Sequence, residues 1–159
     1  MPQELTCEHQ FYQTGRIWGT HMEVVEICSG EFTFRGVLEM DRAPETCRAI
    51  LNLLPYRQHV IHSRWSGEAV WIPLADFDLG VGLENHTSHA SRGDMLFYPG
   101  GISETEFLFV YGSSIFASKM GQLAGNHFFT MTDGHELLEE FGKKALWEGA
   151  QPIEIRLSR

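Results

Sequence analysis

The pattern of hydrophobic positions becomes regular at residue 22 and predicts a β-hairpin. Segment 22–28 is rich in β-branched residues, and segment 31–40 alternates apolar with polar positions. Between them, Ser29 and Gly30 provide the tight turn that usually joins two antiparallel strands. Residues 1–21 show no clear period, although Phe11, Tyr12 and Trp18 could dock elsewhere. We therefore expect an N-terminal arm over 1–21 and one domain over 22–159.

Two segments carry the apolar spacing of short helices. In the first, Pro44 suits the first helical position, because the N–H that proline lacks would be unpaired there anyway, and Pro55 ends the run. The second follows Asp133 and Glu136, which have the spacing of a capping box, and it ends near Gly149. Its predicted buried face consists of Leu137, Leu138, Phe141 and Ala145.

Short strand patterns account for most of the remaining chain. They are bounded by Gly, Pro, Ser or Asn and lie at 58–64, 68–73, 94–98, 105–111, 128–131 and 152–157. Many strands, two helices and no strand–helix–strand alternation predict a mainly β fold, with the sheet closed or nearly closed into a barrel. The connection 74–92 has a length that is often functional or lid-like.

Composition excludes several classes of function. The 159 residues argue for one domain, and 12 Lys and Arg against 21 Asp and Glu give a formal charge of −9. That charge opposes binding to nucleic acid or to anionic membrane surfaces. Three cysteines without C-x-x-C spacing, no signal-peptide pattern and no apolar run of membrane-spanning length predict a reduced cytoplasmic protein. Cys28 and Cys47 are expected among apolar neighbours, and Cys7 is the thiol expected to be exposed.

Four segments together suggest a family. They are 38–55 with its Ala43-Pro44-Glu45-Thr46 turn, the run His62-Ser63-Arg64-Trp65-Ser66-Gly67-Glu68 through Trp71, the stretch 93–101, and 117–128. These segments resemble bacterial cyclophilin-like proteins of unknown function. The resemblance implies a closed cyclophilin-like β-barrel with two α-helices.

The same comparison separates the chain from prolyl isomerase cyclophilins. Those proteins carry a Phe-His-Arg run and a Gln-Gly-Gly-Asp stretch, whereas this chain has Ile61-His62-Ser63-Arg64 and lacks the second motif. Because adjacent strand residues point to opposite faces, the inserted residue changes the direction of the Arg64 guanidinium. Peptidyl-prolyl cis-trans isomerase activity is thus an alternative function, not the first expectation.

The densest group of chemically useful side chains lies at 62–71. Arg64 provides a donor fork suited to a carboxylate, and Trp65 and Trp71 provide flat surfaces for stacking. Ser66 begins a turn with free backbone donors, and Glu68 follows it. We expect a cleft in which Arg64 anchors an anion and the tryptophans form the walls. The alternative is an Arg64–Glu68 ion pair with tryptophans that fill the barrel.

Other candidates surround this segment. His62 and Glu104 are candidate proton handlers, with Glu104 preferred over Glu106 because it lies beside a turn. These two acids can also pair with Arg64 or Lys119. The remaining expected cleft residues are Tyr98 and, from the resemblance, His127.

A metal site of cupin type is a second alternative. Gly93, Pro99 and Gly101 match the skeleton of a cupin motif, but Glu104 stands where a metal cupin has histidine. The pairs His59/His62 and His86/His89, with Asp76, Asp78 and Glu84 near the second pair, complete the candidate ligands. A three-residue spacing puts the strand side chains of His59 and His62 on opposite faces. His86 and His89 can converge in their loop, but loop histidines are more often solvated, so we expect no metal and no cofactor.

The sequence therefore predicts a protein that binds a small polar or anionic ligand, or a peptide segment, beside 62–71. We expect a homo-oligomer assembled through the aromatic residues of the arm, with no nucleic-acid or membrane partner. Whether a bound ligand reacts is left open. A pure interaction module is a further alternative, and it would have no cleft.

Overall fold

The computed structural model describes residues 22–159, and its main feature is a closed antiparallel β-barrel. Eight strands form the ring in the order β2-β1-β11-β3-β4-β7-β6-β10, and β10 returns to β2. The ring strands are β1 Val24–Ser29, β2 Phe32–Leu38, β3 Tyr56–His62, β4 Gly67–Ala75, β6 Asp94–Tyr98, β7 Thr105–Ser114, β10 Gly125–Asp133 and β11 Gln151–Leu157. The predicted barrel is confirmed.

Shorter elements connect the ring. Two-residue strands are β5 His86–Thr87, β8 Ala117–Ser118 and β9 Gly121–Gln122, none of which the sequence predicted. The helices are α1 Pro44–Leu53 and α2 Leu138–Glu148, and single 3₁₀ turns lie at Arg64–Ser66 and His135–Leu137. Short strands have too few residues for a recognisable alternation, so only their pairing partners define them.

Closure of the barrel depends on a glycine. Gly36 of β2 pairs with Met131 of β10 at the seam of the ring. A Cβ atom at Gly36 would lie 2.3 Å from the carbonyl oxygen of Thr130 and 2.4 Å from the Phe129 ring. The two strands can therefore approach each other here only because residue 36 has no side chain.

Aromatic side chains fill the barrel. The phenylalanines Phe34, Phe97, Phe107, Phe109, Phe128 and Phe129 are all at most 1% exposed. Phe141 of α2 packs edge-on against Phe34, at 5.4 Å between ring centroids, so the helix continues the barrel core. Cys47, Ile50 and Leu51 of α1 join the same core. Both predicted helices thus bury their apolar faces as expected.

The outer face of three strands carries a second apolar cluster. Strand β7 alternates strictly: Phe107 and Phe109 point into the barrel, whereas Leu108 and Val110 point outward. The outward residues pack with Leu96, Tyr98, Phe116 and Leu123, beneath the segment that follows β7. Strand β7 is therefore buried on both faces, and this second layer positions the site described below.

A hydrogen-bond network ties the connection 76–93 to the barrel. The carboxylate of Glu84 accepts a 2.5 Å bond from the backbone N–H of Thr46, in the first turn of α1. The side-chain oxygen of Asn126 accepts from the N–H of Glu84, and its amide donates to Thr46 and to the Gly82 carbonyl. Asn126 is fully buried. The long connection is thus anchored at the helix N-terminus, where acidic groups are favourable.

Two local predictions need correction. Arg64 was expected at the end of a strand, but β3 stops at His62 and Arg64 begins the 3₁₀ turn. The capping box at Asp133 is not formed, because Asp133 ends β10 and accepts a hydrogen bond from Arg35. Helix α2 begins five residues later without a side-chain cap. Its end at Gly149, with φ of +89°, is as predicted.

Some expectations lie outside the described residues. These are the arm over 1–21, its aromatic contacts and the exposure of Cys7. Within residues 22–159, no helix has the length and apolar character required to cross a membrane.

Candidate functional site

An open pocket lies on the outer face of the barrel, at the edge of the second apolar cluster. It encloses about 540 Å³ of empty space, part of which opens to solvent. Its aromatic walls are Trp65 and Trp71, and its charged residues are Glu104, Glu106 and Lys119. Smaller residues complete the lining: Ser63, Ser103, Ala117 and Ser118.

The pocket is assembled from segments far apart in sequence. The Ser66 hydroxyl donates to the Ala117 carbonyl and accepts from the Ala117 N–H, so it fastens β8 to the 3₁₀ turn that carries Trp65. The hydroxyl of Tyr98 accepts from the N–H groups of Ile102 and Ser103, which holds the turn before Glu104. Trp71 packs against the outer cluster from β4. The segments that form the walls are therefore held by side chain–backbone hydrogen bonds and by packing.

Glu106 is the unusual group in this pocket. It is 4% exposed, it lines the cavity, and within residues 22–159 its carboxyl group has no hydrogen-bonding partner. Burial, with a smaller contribution from the negative charge of Glu104, raises the pKa of Glu106 to about 8. The carboxyl oxygens of Glu106 reach the cavity, so a nearly buried acid with a raised pKa faces the space that a ligand would occupy, a combination typical of functional sites.

The expected anion anchor, Arg64, is not part of this pocket. Its side chain is exposed, and the described residues give it no ion pair, so the expected Arg64–Glu68 pair is also not formed. Instead, Glu68 accepts a 2.7 Å hydrogen bond from the backbone N–H of Ser113. The cation that does line the pocket is Lys119. Arg64 begins the 3₁₀ turn, and its charge acts on His62 and Tyr111, which do not line the pocket.

His62 lies on the opposite side of the sheet from the pocket. In the pairing of β3 with β4, Ile61 is opposite Trp71, so these two share a face and the neighbouring His62 points inward. Its Nε2 atom lies 2.7 Å from the hydroxyl of Tyr111, while its Nδ1 atom is buried without a partner. Burial, together with the Arg64 charge, lowers the pKa of His62. His62 therefore does not contact a ligand in this pocket.

His127 belongs to a separate polar cluster. Its Nε2 atom lies 3.3 Å from a carboxylate oxygen of Asp94 and 3.1 Å from the Thr130 hydroxyl, which donates to Glu39. Burial acts to lower the pKa of His127, but the hydrogen bond and charge of Asp94 and the charge of Glu39 outweigh it and raise the pKa. His127 does not line the pocket.

Metal ligation has no candidate in the described part of the chain. No group of three or more His, Cys, Asp or Glu residues is arranged there to hold an ion. Glu84, one of the acids considered, binds the N-terminus of α1 instead. The histidines His59, His86 and His89 are all exposed.

Of the residues that the sequence suggested for the site, Trp65, Trp71 and Glu104 line the pocket. The others do not: His62, Arg64, Ser66, Glu68, Tyr98 and His127. Glu106 has a recognisable signal: it is the single charged residue in the run Thr105–Tyr111, whose other members suit a strand buried on both faces. Lys119 and Ser118 carry no comparable signal, because their positions depend on how the 115–124 segment folds back. The position of Ser103 depends on the turn that the Tyr98 hydroxyl holds.

A protein-family model described as a protein of unknown function, DUF3830, matches residues 25–157. The chain belongs to this family. A search of curated proteins found no match. The resemblance to cyclophilin-like proteins of unknown function is confirmed by solved structures that share the fold.

Three solved structures illustrate the fold of this DUF3830 protein. McbB in complex with tryptophan has a TM-score of 0.65 and 20% identity over 83% of this chain, which spans only 44% of McbB. The hypothetical protein AF2241 from Archaeoglobus fulgidus has a TM-score of 0.59 and 17% identity, over 88% of this chain and 99% of that one. A Cryptosporidium parvum cyclophilin-type peptidyl-prolyl cis-trans isomerase gives 0.54 and 14%, over 87% and 99%. Identities at this level establish the cyclophilin-like fold alone.

Proposed function

We propose that this DUF3830 protein binds a small polar molecule with a flat ring system in the pocket between Trp65 and Trp71. The observation that carries the proposal is the nearly buried carboxyl group of Glu106, which faces an open cavity without a partner. A ligand with polar hydrogens would supply that partner. The indole faces supply the area on which a flat ring can stack.

The surroundings of Trp65 support the same proposal. Its side chain is 60% exposed, although it belongs to a turn whose backbone is firmly held by Ser66. Unlike the exposed Trp147, Trp65 lines the cavity, so its indole offers apolar area to a ligand there. Lys119, which also lines the pocket, provides a cation for an anionic substituent, the role that the sequence assigned to Arg64. McbB, which has the same fold, is described in complex with tryptophan, a molecule of this chemical kind.

Prolyl isomerase activity has weaker support. A cyclophilin-type isomerase shares the fold, but Arg64, the arginine nearest to the isomerase motif, lies outside the pocket. Binding of a small molecule does not require Arg64, because the residues that line the pocket are enough for it. We therefore retain ligand binding as the proposed function.

The test is a thermal-shift screen of a library of flat polar metabolites, tryptophan included, on the full chain. We expect at least one compound to raise the Tm of the wild-type protein and to lose this effect in Trp65→Ala. The matched control is Trp147→Ala, because Trp147 is 80% exposed and lies on α2, away from the pocket. Both variants remove an exposed indole and should fold.

The Arg64→Ala variant distinguishes a site whose cation is Lys119 from the site expected from the sequence, whose cation is Arg64. With Lys119 as the pocket cation, Arg64→Ala keeps the ligand-induced Tm shift. The proposal is wrong if no compound stabilises the protein, or if the stabilisation survives in Trp65→Ala.

A further inference from the structure

Once Glu106 is ionised, the pocket offers more negative than positive charge to a ligand. Glu104 and Glu106 line it against the single cation Lys119, and the whole chain has a formal charge of −9. The faces of Trp65 and Trp71 add the negative side of the indole quadrupole, which attracts cations. These features all favour a ligand that is positively charged where it meets Glu106.

We propose that the pocket selects a ligand in which a primary or secondary ammonium group is joined to a flat ring through a short aliphatic linker, with the ammonium bound to the carboxylate of Glu106. This inference rests on the proposed function and names the class of ligand for the same site. Glu106 is the one acid of the pocket that is both buried and unpartnered, whereas Glu104 is exposed. A charge-assisted hydrogen bond to Glu106 would be shielded from water and therefore stronger than one to Glu104.

The groups that face Glu106 come from several elements. The turn before β7 contributes Glu104, the β8–β9 turn contributes Lys119, and β4 contributes the neutral Trp71. Tyr98, opposite Glu106 in the pairing with β6, uses its hydroxyl for Ile102 and Ser103. No cation is hydrogen-bonded to Glu106 within residues 22–159, so a ligand cation would be its first close counter-ion.

Binding of an ammonium ion requires Glu106 to release its proton. With a pKa of about 8, most Glu106 carboxyl groups in the empty pocket are protonated at pH 7. When the ammonium binds, the O–H bond of Glu106 breaks, its proton passes to solvent, and the ligand keeps all its N–H bonds. Close to one proton is thus released per ligand at pH 7, and affinity rises by about tenfold per pH unit below pH 8.

The experiment compares three probes of matched shape by titration calorimetry on the full chain. They are 2-phenylethylamine, the neutral 2-phenylethanol and the anionic 3-phenylpropanoate. We expect the amine to bind more than about tenfold more tightly than the alcohol, and the carboxylate to bind least. Repeating the amine titration at pH 7 in buffers of different ionisation enthalpy gives the number of protons released per bound ligand, which should approach one. In the same series above pH 9, proton release from Glu106 should vanish.

Glu106→Gln is the decisive variant, since it keeps the shape of the side chain and removes the titrating proton. It should lose proton release and the preference for the amine while it still binds 2-phenylethanol. Glu148→Gln, which changes an exposed acid on α2, is the matched control and should behave like the wild type.

Three results overturn the inference: tighter binding of 3-phenylpropanoate than of the amine, binding of the amine without proton release, or an unchanged amine preference in Glu106→Gln. In each of these cases the pocket still binds a flat molecule, and the proposed function stands. If none of the three probes binds, the inference is also wrong, and the metabolite screen alone decides the proposed function.

Discussion

Glu104 and Glu106 are separated by one residue and line the same pocket, yet Glu104 is exposed and Glu106 is 4% exposed. The difference arises from the strand boundary. Glu106 lies within β7 and pairs with Pro73 on one side and Tyr98 on the other, whereas Glu104 lies in the turn that precedes the strand. The side chain of Glu106 is thus buried by the strands beside it, whereas that of Glu104 is exposed to solvent.

The buried acid makes the stability of the protein depend on pH. Glu106 titrates near 8 in the folded state and near its ordinary value of 4.5 in the unfolded state. Between these values only the unfolded state releases the proton, so the free energy of unfolding decreases as pH rises, by on the order of 4 kcal/mol in total. We expect Glu106→Gln to remove this decrease in urea unfolding at pH 5 and pH 8.5. Glu148→Gln should retain it, and parallel profiles for wild type and Glu106→Gln would contradict the assignment.

Asn126 should be a major determinant of stability. Its buried side chain makes three hydrogen bonds, to Thr46, Gly82 and the N–H of Glu84, so truncation leaves those groups without partners. We expect Asn126→Ala to lower the free energy of unfolding by about 3 kcal/mol. The matched control is Asn52→Ala on the exposed side of α1, which should change stability by less than about 0.5 kcal/mol. Chemical denaturation measures both.

Replacing Gly36, at the barrel seam, should destabilise the protein far more than replacing Gly82, which lies outside the seam. Gly36→Ala places a methyl group 2.3 Å from the Thr130 carbonyl oxygen, and the strand backbone must move to accept it. We expect a loss of about 3 kcal/mol in the free energy of unfolding. Gly82→Ala meets no atom within 4 Å and has no positive φ, so its Tm should stay close to the wild-type value. Equal Tm values for the two variants would refute the role given to Gly36.

The two described cysteines should differ in reactivity. Burial raises the pKa of Cys47 to about 12, with smaller contributions from the charges of Glu84 and Glu39, so its thiolate is scarce at neutral pH. Cys28 is partly exposed. Brief iodoacetamide treatment of the native protein, followed by peptide mass spectrometry, should label Cys28 and leave Cys47 unmodified. Labelling of both in denaturant is the control, and fast native labelling of Cys47 would contradict its burial.

The polar cluster around His127 predicts a measurable titration. Asp94, 3.3 Å from the ring nitrogen, is the main group that raises the pKa of His127 against the effect of burial. We expect Asp94→Asn to lower this pKa in NMR titrations of the histidine ring protons. Asp78→Asn, in an exposed loop, should leave it unchanged. A His127 pKa that does not respond to Asp94→Asn would mean that the cluster is not formed in solution.

Much of the architecture followed from local patterns. The hairpin around Gly30, the helix that starts at Pro44 and the apolar run of β7 depend on residues close together in the chain, so they are visible without tertiary information. The strand boundary near Arg64 was predicted less well, because a 3₁₀ turn and a strand end differ by only a few backbone angles. The failed capping box shows the same limit: Asp133 stays in β10 because strand pairing with β2 continues to that point.

The sequence by itself determined that this is a mainly β protein with two amphipathic helices, since hydrophobic periodicity and turn residues are properties of short segments. It also indicated Trp65, Trp71 and Glu104 as site residues. Only the tertiary structure decided that Glu106 and Lys119, rather than Arg64 and His62, accompany the tryptophans. The reason is physical: the face on which a side chain lies, and what covers it, depend on strand register and on packing between segments distant in the chain.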